Sequence, residues 1–158
     1  MTIRVIEPRD NDAMAKIIRD SLTAVGLDKP GTAYFDTALD DLANAYRGEK
    51  SVYVVADIKG HIVGGAGLAP IAPGVCELQK CYVEASRRGQ GLGRLLIERV
   101  LQEAVRLGYT SIYLETTEIL ASAVSLYESL GFTHLDAPLV NDNGHHAMTI
   151  WMIKDLQD

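Results

Sequence analysis

Eight residues near the middle of the chain, Arg87 to Arg94, read Arg-Arg-Gly-Gln-Gly-Leu-Gly-Arg, with three glycines at alternating positions. They follow a strand-like run, Val75 to Val83, and lead into an amphipathic stretch, Leu92 to Leu107. Free N–H groups at a helix N-terminus point towards a bound anion, and glycine lets that anion approach the backbone closely. The stretch from Lys80 to Arg94 carries four basic residues and one acid, although the whole chain has a formal net charge of −6. We therefore predict that this loop binds an anionic, phosphate-bearing ligand.

The chain has 158 residues, of which 47% are hydrophobic and 23% are charged, values typical of one globular domain spanning residues 1–158. Its net negative charge argues against a nucleic-acid partner, because nucleic-acid-binding proteins present a broad basic face. No apolar run reaches the roughly 18 residues that a membrane span needs, and the N-terminus lacks the apolar core of a signal peptide. We expect a cytoplasmic protein with no membrane or nucleic-acid partner.

The apolar spacing predicts a β-meander followed by alternating strands and helices, a pattern typical of an α/β domain around a mixed sheet. The predicted strands are residues 2–8, 51–58, 61–68, 75–83, 111–115, 132–135 and 147–154, and the predicted helices are residues 10–26, 37–46, 92–107 and 120–130. The apolar stripe of the third helix comprises Leu92, Leu96, Val100 and Ala104, widened by Leu95, Ile97, Leu101 and Val105. This stripe predicts a helix that packs on the sheet.

Two pairs of potential metal ligands are predicted not to form a site. Cys76 and Cys81 lie five residues apart on one predicted strand, and this odd separation places their side chains on opposite faces. We expect both to be free thiols. The adjacent His145 and His146 also diverge in an extended segment, so no metal site is expected there.

The glycine spacing excludes two common phosphate-binding loops. A Gly-x-Gly-x-x-Gly fingerprint would need its third glycine at Arg94 or Leu96, and a Walker loop would need a Gly-Lys-Ser/Thr ending. A glycine-rich turn without a ligand is the structural alternative. Three alternating glycines cost chain entropy that a simple connection does not require, so this alternative is disfavoured.

The loop matches a different pattern, and a second motif lies downstream of it. Arg88 to Gly93 matches Gln/Arg-x-x-Gly-x-Gly/Ala, and Ala123 to Phe132 matches Ala-x-x-Leu-Tyr-x-x-x-Gly-Phe. With these motifs and the predicted element order, nearly the whole chain resembles the GNAT superfamily of acyl-CoA-dependent N-acetyltransferases. The lead-in Glu77 to Val83 is similar to that of a group of small bacterial GNAT proteins. The resemblance implies a mixed, mostly antiparallel sheet of about six or seven strands, flanked by about four helices.

The resemblance also implies that acetyl-CoA is the co-substrate, and the ligand spacing described above predicts no metal. The pyrophosphate is expected on the loop amides, with two arginines as counter-charges. The strand that ends at Val83 is expected to splay from its neighbour at a bulge and to bind the pantetheine and thioester through its backbone. The expected cofactor-binding residues are Cys81, Tyr82, Val83, Arg88, Gly89, Gln90, Gly91, Leu92, Gly93 and Arg94.

Two positions depart from the family pattern. Ala85 stands where the family often has proline, and this change should only loosen the turn before the glycine loop. Leu120 stands where the family often has an asparagine that helps to hold the pantetheine or the substrate. Leucine cannot donate or accept a hydrogen bond, so that contact must be replaced or missing.

The acceptor amine must lose a proton before it attacks the thioester carbonyl, so the site needs a base. Glu77 is the candidate, because it shares strand parity with Gln79 and Cys81 and its carboxylate would attract a cationic amine. An exposed or ion-paired Glu77, for example with Lys80, is the alternative interpretation. Glu115, at the end of the next strand, is the rival base.

The leaving thiolate needs a proton, and the resemblance places the general acid at Tyr127. The helical spacing alone is equally compatible with a core aromatic residue at this position. Cys81 has no adjacent histidine to activate its thiol, so we expect direct transfer rather than an acetyl-enzyme.

These features predict an N-acetyltransferase that transfers an acetyl group from acetyl-CoA to a primary amine of a small molecule, by direct attack in a ternary complex. The alternatives are a non-catalytic acyl-CoA-binding sensor and an acetyltransferase for protein or peptide amines. The acceptor pocket is expected from residues 22–46 and 140–146, although ordinary surface loops are equally compatible with them. Its candidate residues are Tyr34, Phe35, Asp36, Asp142, His145 and His146. Members of the family often form a homodimer through their C-terminal strands, and the sequence leaves this possibility open.

Overall fold

The computed structural model describes residues 1–139 and 145–157. Within these residues a seven-stranded mixed sheet carries four α-helices, as the resemblance implied. The strands are β1 Thr2–Val5, β2 Val52–Ile58, β3 His61–Ala72, β4 Val75–Val83, β5 Ser111–Thr116, β6 Thr133–Leu135 and β7 Ile150–Asp155. The helices are α1 Asn11–Ala24, α2 Leu42–Ala45, α3 Leu92–Arg106 and α4 Ala121–Ser129, with 3₁₀ turns at Pro8–Asp10, Ala33–Phe35, Thr37–Asp41, Ala85–Arg87 and Glu118–Leu120.

The strand order is β1-β2-β3-β4-β5-β7-β6, and every neighbouring pair is antiparallel except β4 and β5. These two parallel strands pair only at their starts, where Val75–Glu77 lies opposite Ser111–Tyr113. Beyond Glu77 the two strands have no further register partners in the described part of the chain. The divergence opens a wedge in the middle of the sheet.

Next to this wedge, β4 carries one more residue than the facing part of β3. Gly65 lies opposite Tyr82 and Gly67 lies opposite Gln79, so two intervening residues on β4 face one on β3. This β-bulge includes Lys80, whose φ of 50° lies in the left-handed region. An extra residue in a strand moves the side chains beyond it to the other face.

The bulge overturns the predicted placement of the cysteines. Cys76 and Cys81 both pack into the core on the same face of the sheet, and both are free thiols. The predicted parity between Glu77 and Cys81 is wrong for the same reason. Glu77 and Gln79 hydrogen-bond to each other on the opposite face, where Gln79 also binds Tyr46.

Both faces of the sheet are covered by helices. α1 packs against β3 and β4 on one face, and α3 packs against β2, β3 and β4 on the other. The core under α1 includes Met14, Ile18, Leu22, Leu39, Leu42, Tyr53 and Val55. The core under α3 includes Val54, Leu68, Cys76, Leu96, Ile97, Val100, Ile112 and Met152. The apolar stripe of α3 is narrower than predicted, because Leu95 and Val105 lie on its flanks and are exposed.

The element bounds follow the predictions most closely around the wedge. β4 has the predicted bounds, and α3 ends one residue before its predicted end. β3 extends to Ala72 and not to Leu68, since the strand continues through Pro70 beside a register irregularity. The predicted helix 37–46 forms a 3₁₀ turn, Thr37–Asp41, that leads into the short α2.

Candidate active site

The wedge between β4 and β5 forms a cavity of about 290 Å³. Its walls come from both strands, from the start of α4 and from the inner face of α1. The lining residues include Ser21, Leu78, Lys80, Cys81, Tyr82, Val83, Arg88, Leu114, Glu115, Thr116, Leu120, Ser122, Tyr127 and Met148. The predicted residues Cys81, Tyr82, Val83, Arg88 and Tyr127 therefore meet in one cavity.

The glycine loop lies beside this cavity and outside its wall. Gly89 and Gly91 adopt φ values of 78° and 81°, and a Cβ atom at either position would find no neighbour within 4 Å. The conformation, and not crowding, therefore requires glycine here. Gly91 is the N-cap of α3, so the loop opens directly onto the free amides of the first helical turn. Leu92 packs its side chain into the core and leaves only its backbone for a ligand.

The two predicted arginines are held by hydrogen bonds on either side of the loop. Arg88 donates from Nε to the Val83 carbonyl at 3.1 Å and from its terminal nitrogen to the Ser21 hydroxyl at 2.9 Å. Arg94 donates to the Ser129 hydroxyl at 2.8 Å. Arg88 thus joins α1 to the end of β4. No sequence pattern pointed to Ser21, because it is buried on the inner face of α1 and reaches Arg88 only in the fold.

Tyr127 is a buried aromatic residue that also lines the cavity. Its side chain is only 8% exposed, and its ring packs edge-on against Phe132 with the centroids 5.8 Å apart. The same residue lines the cavity of about 290 Å³. Burial raises the pKa of Tyr127 well above the usual tyrosine value, so the hydroxyl keeps its proton at neutral pH.

Glu77 lies in a second, smaller cavity of about 60 Å³ that adjoins the first. The two cavities share Leu78, Lys80, Tyr82, Glu115 and Met148. Glu77 is 7% exposed and accepts a hydrogen bond of 2.7 Å from the Gln79 amide, whose oxygen accepts one of 2.6 Å from Tyr46. Burial raises the pKa of Glu77, and the Gln79 hydrogen bond offsets only part of this effect.

Glu115 lies between the two cavities. It accepts a hydrogen bond of 2.7 Å from the Tyr113 hydroxyl, and its charge contributes to the raised pKa of Glu77. The two candidate bases therefore face the same small space, where the charge of Glu115 opposes the ionisation of Glu77.

An ion-paired cluster borders the small cavity. The Lys80 ammonium lies 2.9 Å from the Asp36 carboxylate, which also lies 3.0 Å from His145 Nε2. Burial tends to raise the pKa of Asp36, but the His145 hydrogen bond and the Lys80 charge outweigh it and lower that pKa. Lys80 is thus paired with Asp36 and not with Glu77. The sequence offered Lys80 as an ion-pair partner of Glu77 and did not identify Asp36, which comes from a distant segment.

The two segments predicted to form the acceptor pocket meet at this cluster. The Ala147 amide donates to the Gly31 carbonyl at 3.0 Å, and the His146 ring covers Gly31 so closely that a Cβ there would lie 2.6 Å from it. His145 and His146 contact different residues, but they lie in a turn closed by the Met148 amide on the His145 carbonyl and not in the predicted extended segment. Leu22, Thr32 and Ala33 also line the small cavity. Tyr34 and Phe35 stack edge-on and Phe35 is exposed, while Asp142 lies outside the described residues.

Among the described residues, the remaining reactive groups are the buried Cys81 thiol and the scattered histidine and acidic side chains. Burial raises the pKa of the Cys81 thiol to about 12, which disfavours the thiolate that a nucleophile needs. Residues 1–139 and 145–157 contain no group of three or more histidine, cysteine or acidic side chains arranged to hold a metal ion. No helix in these same ranges is long and apolar enough to cross a bilayer.

Comparison with known proteins agrees with this geometry. The family model described as Acetyltransferase (GNAT) family matches residues 11–132. The uncharacterized N-acetyltransferase YjgM of Escherichia coli K12 is 37% identical, over 98% of this chain and 94% of that protein. A GNAT-family acetyltransferase from Staphylococcus aureus Mu50 superposes with a TM-score of 0.84 at 19% identity, over 99% of both chains. YncA of Salmonella typhimurium, solved with its cofactor acetyl-CoA, superposes with a TM-score of 0.79 at 24% identity, over 100% of this chain and 95% of that one.

The chain therefore belongs to the GNAT family of acetyltransferases. This membership makes it an acetyl-CoA-dependent N-acetyltransferase, and it confirms the resemblance and the fold class that the two sequence motifs implied.

Proposed function

We propose that this enzyme acetylates the primary amine of a small molecule, by direct attack of the amine on acetyl-CoA in a ternary complex. The observation that carries the proposal is the pair of adjoining cavities. The larger one follows the open edge of β4, and the smaller one ends at the two carboxylates Glu77 and Glu115. A thioester in the first would lie next to an amine in the second.

In this proposal acetyl-CoA binds along the open edge of β4 and on the glycine loop. The open space at Gly89 and Gly91 and the free amides up to Gly93 suit the pyrophosphate, with Arg88 and Arg94 on either side. The backbone from Cys81 to Val83 has no strand partner on the β5 side among the described residues, so it is available to the pantetheine and the thioester carbonyl.

The proton transfers are assigned to two buried groups. Glu77 removes a proton from the bound ammonium, so that the neutral amine attacks the carbonyl carbon and the carbon–sulfur bond breaks. As the tetrahedral intermediate collapses, its nitrogen loses a second proton to water and Tyr127 donates its proton to the departing thiolate. The raised pKa of Tyr127 means that the hydroxyl still carries its proton when the thiolate forms.

A small amine is favoured over a protein amine by the size and charge of the inner cavity. The cavity measures about 60 Å³, and the Lys80 ammonium on its wall is already paired with Asp36. The Lys80 charge is therefore engaged by Asp36, and the carboxylate of Glu77 can attract a cationic amine. Membership of an acetyltransferase family favours catalysis over the sensor alternative.

The test is thiol release from acetyl-CoA across a panel of small amines, amino acids and peptides, with products checked by mass spectrometry. We expect amine-dependent release with small acceptors, and a fall in kcat of about 100-fold for Tyr127→Phe with the acetyl-CoA Kd unchanged. Tyr109→Phe is the matched control, because its buried hydroxyl binds a backbone carbonyl away from both cavities. Turnover with peptides alone would overturn the small-molecule assignment, and an unchanged kcat in Tyr127→Phe would overturn the role of Tyr127.

A further inference from the structure

Tyr53 of β2 makes a contact that reaches across a whole strand. Its side chain is completely buried, and its hydroxyl donates a hydrogen bond of 2.7 Å to the carbonyl of Lys80 on β4. β3 lies between these two strands in the sheet. The tyrosine ring must therefore pass over β3 to reach the bulge.

Two glycines on β3 make this crossing possible. A Cβ atom at Gly65 would lie 2.6 Å from the Tyr53 ring, and one at Gly67 would lie 2.5 Å from it. These distances are far below van der Waals contact, so any other residue would displace the ring. Gly65 and Gly67 also face Tyr82 and Gln79 on β4, on the two sides of the bulge. These two glycine positions of β3 therefore lie both under the Tyr53 ring and beside the bulge.

The carbonyl that Tyr53 binds belongs to the bulge residue itself. Lys80 has a φ of 50°, a conformation that costs energy for a residue with a Cβ atom. A bulge also leaves its extra residue outside the regular ladder, so the carbonyl needs another partner. The Tyr53 hydroxyl is that partner, and the Asp36 carboxylate holds the Lys80 side chain from the other end.

We propose that Tyr53 is a positioning residue for acetyl transfer: its hydroxyl fixes the bulge, and the bulge fixes Cys81–Val83 in the wedge. The inference rests on the proposed assignment of this backbone to the thioester. Without the hydroxyl, the Lys80 carbonyl would have to find a partner elsewhere, and the backbone beyond it would shift. The glycine loop would still hold the phosphates, so the acetyl group would be bound but misplaced.

Tyr53→Phe tests this proposal, because it keeps the ring on the glycines and removes one oxygen. Tyr109→Phe is the matched control, since the Tyr109 hydroxyl also donates a hydrogen bond of 2.7 Å to a backbone carbonyl, that of Lys50. We expect Tyr53→Phe to lower kcat at least about tenfold, since small misplacements of reacting atoms are costly, with the acetyl-CoA Kd changed less than about threefold. Tyr109→Phe should lower Tm by a similar amount and leave kcat within about twofold. Equal kcat values in the two variants at equal stability loss would overturn the proposal.

Backbone amide NMR of the free enzyme gives a second readout that needs no turnover. We expect Tyr53→Phe to shift the amide signals of residues 80–83, and Tyr109→Phe to leave them unchanged. Unshifted signals in Tyr53→Phe would overturn the proposal even if kcat fell. If the wild type bound no acetyl-CoA, the assignment of the wedge would fail, while the NMR comparison would still decide whether Tyr53 shapes the bulge.

Discussion

Lys80 shows how one residue can decide the chemistry on both sides of it. Its position in the bulge turns Cys81 towards the α3 core and leaves Glu77 on the α1 face. Its side chain pairs with Asp36 and so removes the most obvious partner for Glu77. Glu77 is left buried beside Glu115, and its pKa is raised. One strand residue therefore sets the environment of the candidate base.

At this scale the first prediction concerns the pH dependence of Glu77. Its raised pKa means that the ionised base forms only above the usual glutamate value of about 4.3, so kcat/KM should rise with pH through that raised pKa. Glu77→Gln should remove this rise and lower kcat/KM by about 100-fold. The measurement is a pH–rate profile at saturating acetyl-CoA, with an acceptor whose own amine pKa is known.

Glu115→Gln provides the matched variant, because Glu115 faces the same cavity and also accepts a hydrogen bond. Glu115→Gln should keep the rise of kcat/KM and shift it to lower pH, because removing the neighbouring negative charge lowers the pKa of Glu77. If Glu115→Gln abolishes the rise while Glu77→Gln keeps it, Glu115 is the base.

At the scale of elements, the sequence predicts the glycine loop better than it predicts the wedge. The loop is encoded locally, because left-handed φ values at Gly89 and Gly91 and the start of α3 follow from neighbouring residues. The wedge depends on which strands pair and for how long. β4 has the predicted bounds, but its pairing with β5 ends at Glu77. The point where the two strands separate depends on the packing of the whole sheet and not on neighbouring residues in the sequence.

The second prediction concerns Gly91→Ala. An alanine at a φ of 81° is strained and should cost about 1–2 kcal/mol of stability. Its methyl group would project into the open space above the loop, so the acetyl-CoA Kd should rise at least about tenfold, or about 1.4 kcal/mol. Calorimetric titration of acetyl-CoA and urea unfolding measure the two effects.

Gly60→Ala is its control, because Gly60 has a φ of 88°, no neighbour within 4 Å of a Cβ, and a place in the β2–β3 hairpin turn. It should lose similar stability and keep the wild-type Kd. Equal Kd values for Gly60→Ala and Gly91→Ala would show that the loop does not bind the phosphates.

At the scale of the whole molecule, the first elements are tied to the sheet edge by a buried charge network. Arg4 of β1 donates two hydrogen bonds to Asp10, at 2.7 and 3.0 Å, and also binds Asp57 of β2 at 3.1 Å. Asp10 is only 3% exposed and also accepts a hydrogen bond from the Glu7 amide. The network fixes where α1 starts, and α1 in turn supplies Ser21 to the site.

The third prediction concerns the stability that depends on Asp10. Burial tends to raise the pKa of Asp10, but the hydrogen bonds from Arg4 and the Glu7 amide outweigh it and lower that pKa. Its contribution to stability is therefore present above the unfolded-state pKa of about 3.9 and is lost as the pH falls through the folded-state pKa. Asp10→Asn should cost about 3 kcal/mol at pH 7, because it leaves Arg4 without its buried partner. Urea unfolding at pH 7, 4 and 3 should show the variant losing less stability in acid than the wild type.

Asp40→Asn serves as the comparison, because the Asp40–Arg19 pair is also bidentate but its carboxylate is exposed to solvent. Its stability should match that of the wild type within error. An Asp10→Asn protein as stable as the wild type at pH 7 would show that the network contributes nothing to the fold.

The sequence by itself determined what is local: the phosphate-type loop, the order of strands and helices, the bounds of β4 and the two motifs of the family. Hydrophobic periodicity and glycine positions act over a few residues, so these features need no tertiary information. Only the tertiary structure decided that the bulge implied by the resemblance falls at Lys80, that Arg88 reaches Ser21, and that Asp36 meets both Lys80 and His145. These features depend on contacts between residues far apart in the chain. One extra residue in a strand does not change the hydrophobic periodicity from which the strand is predicted.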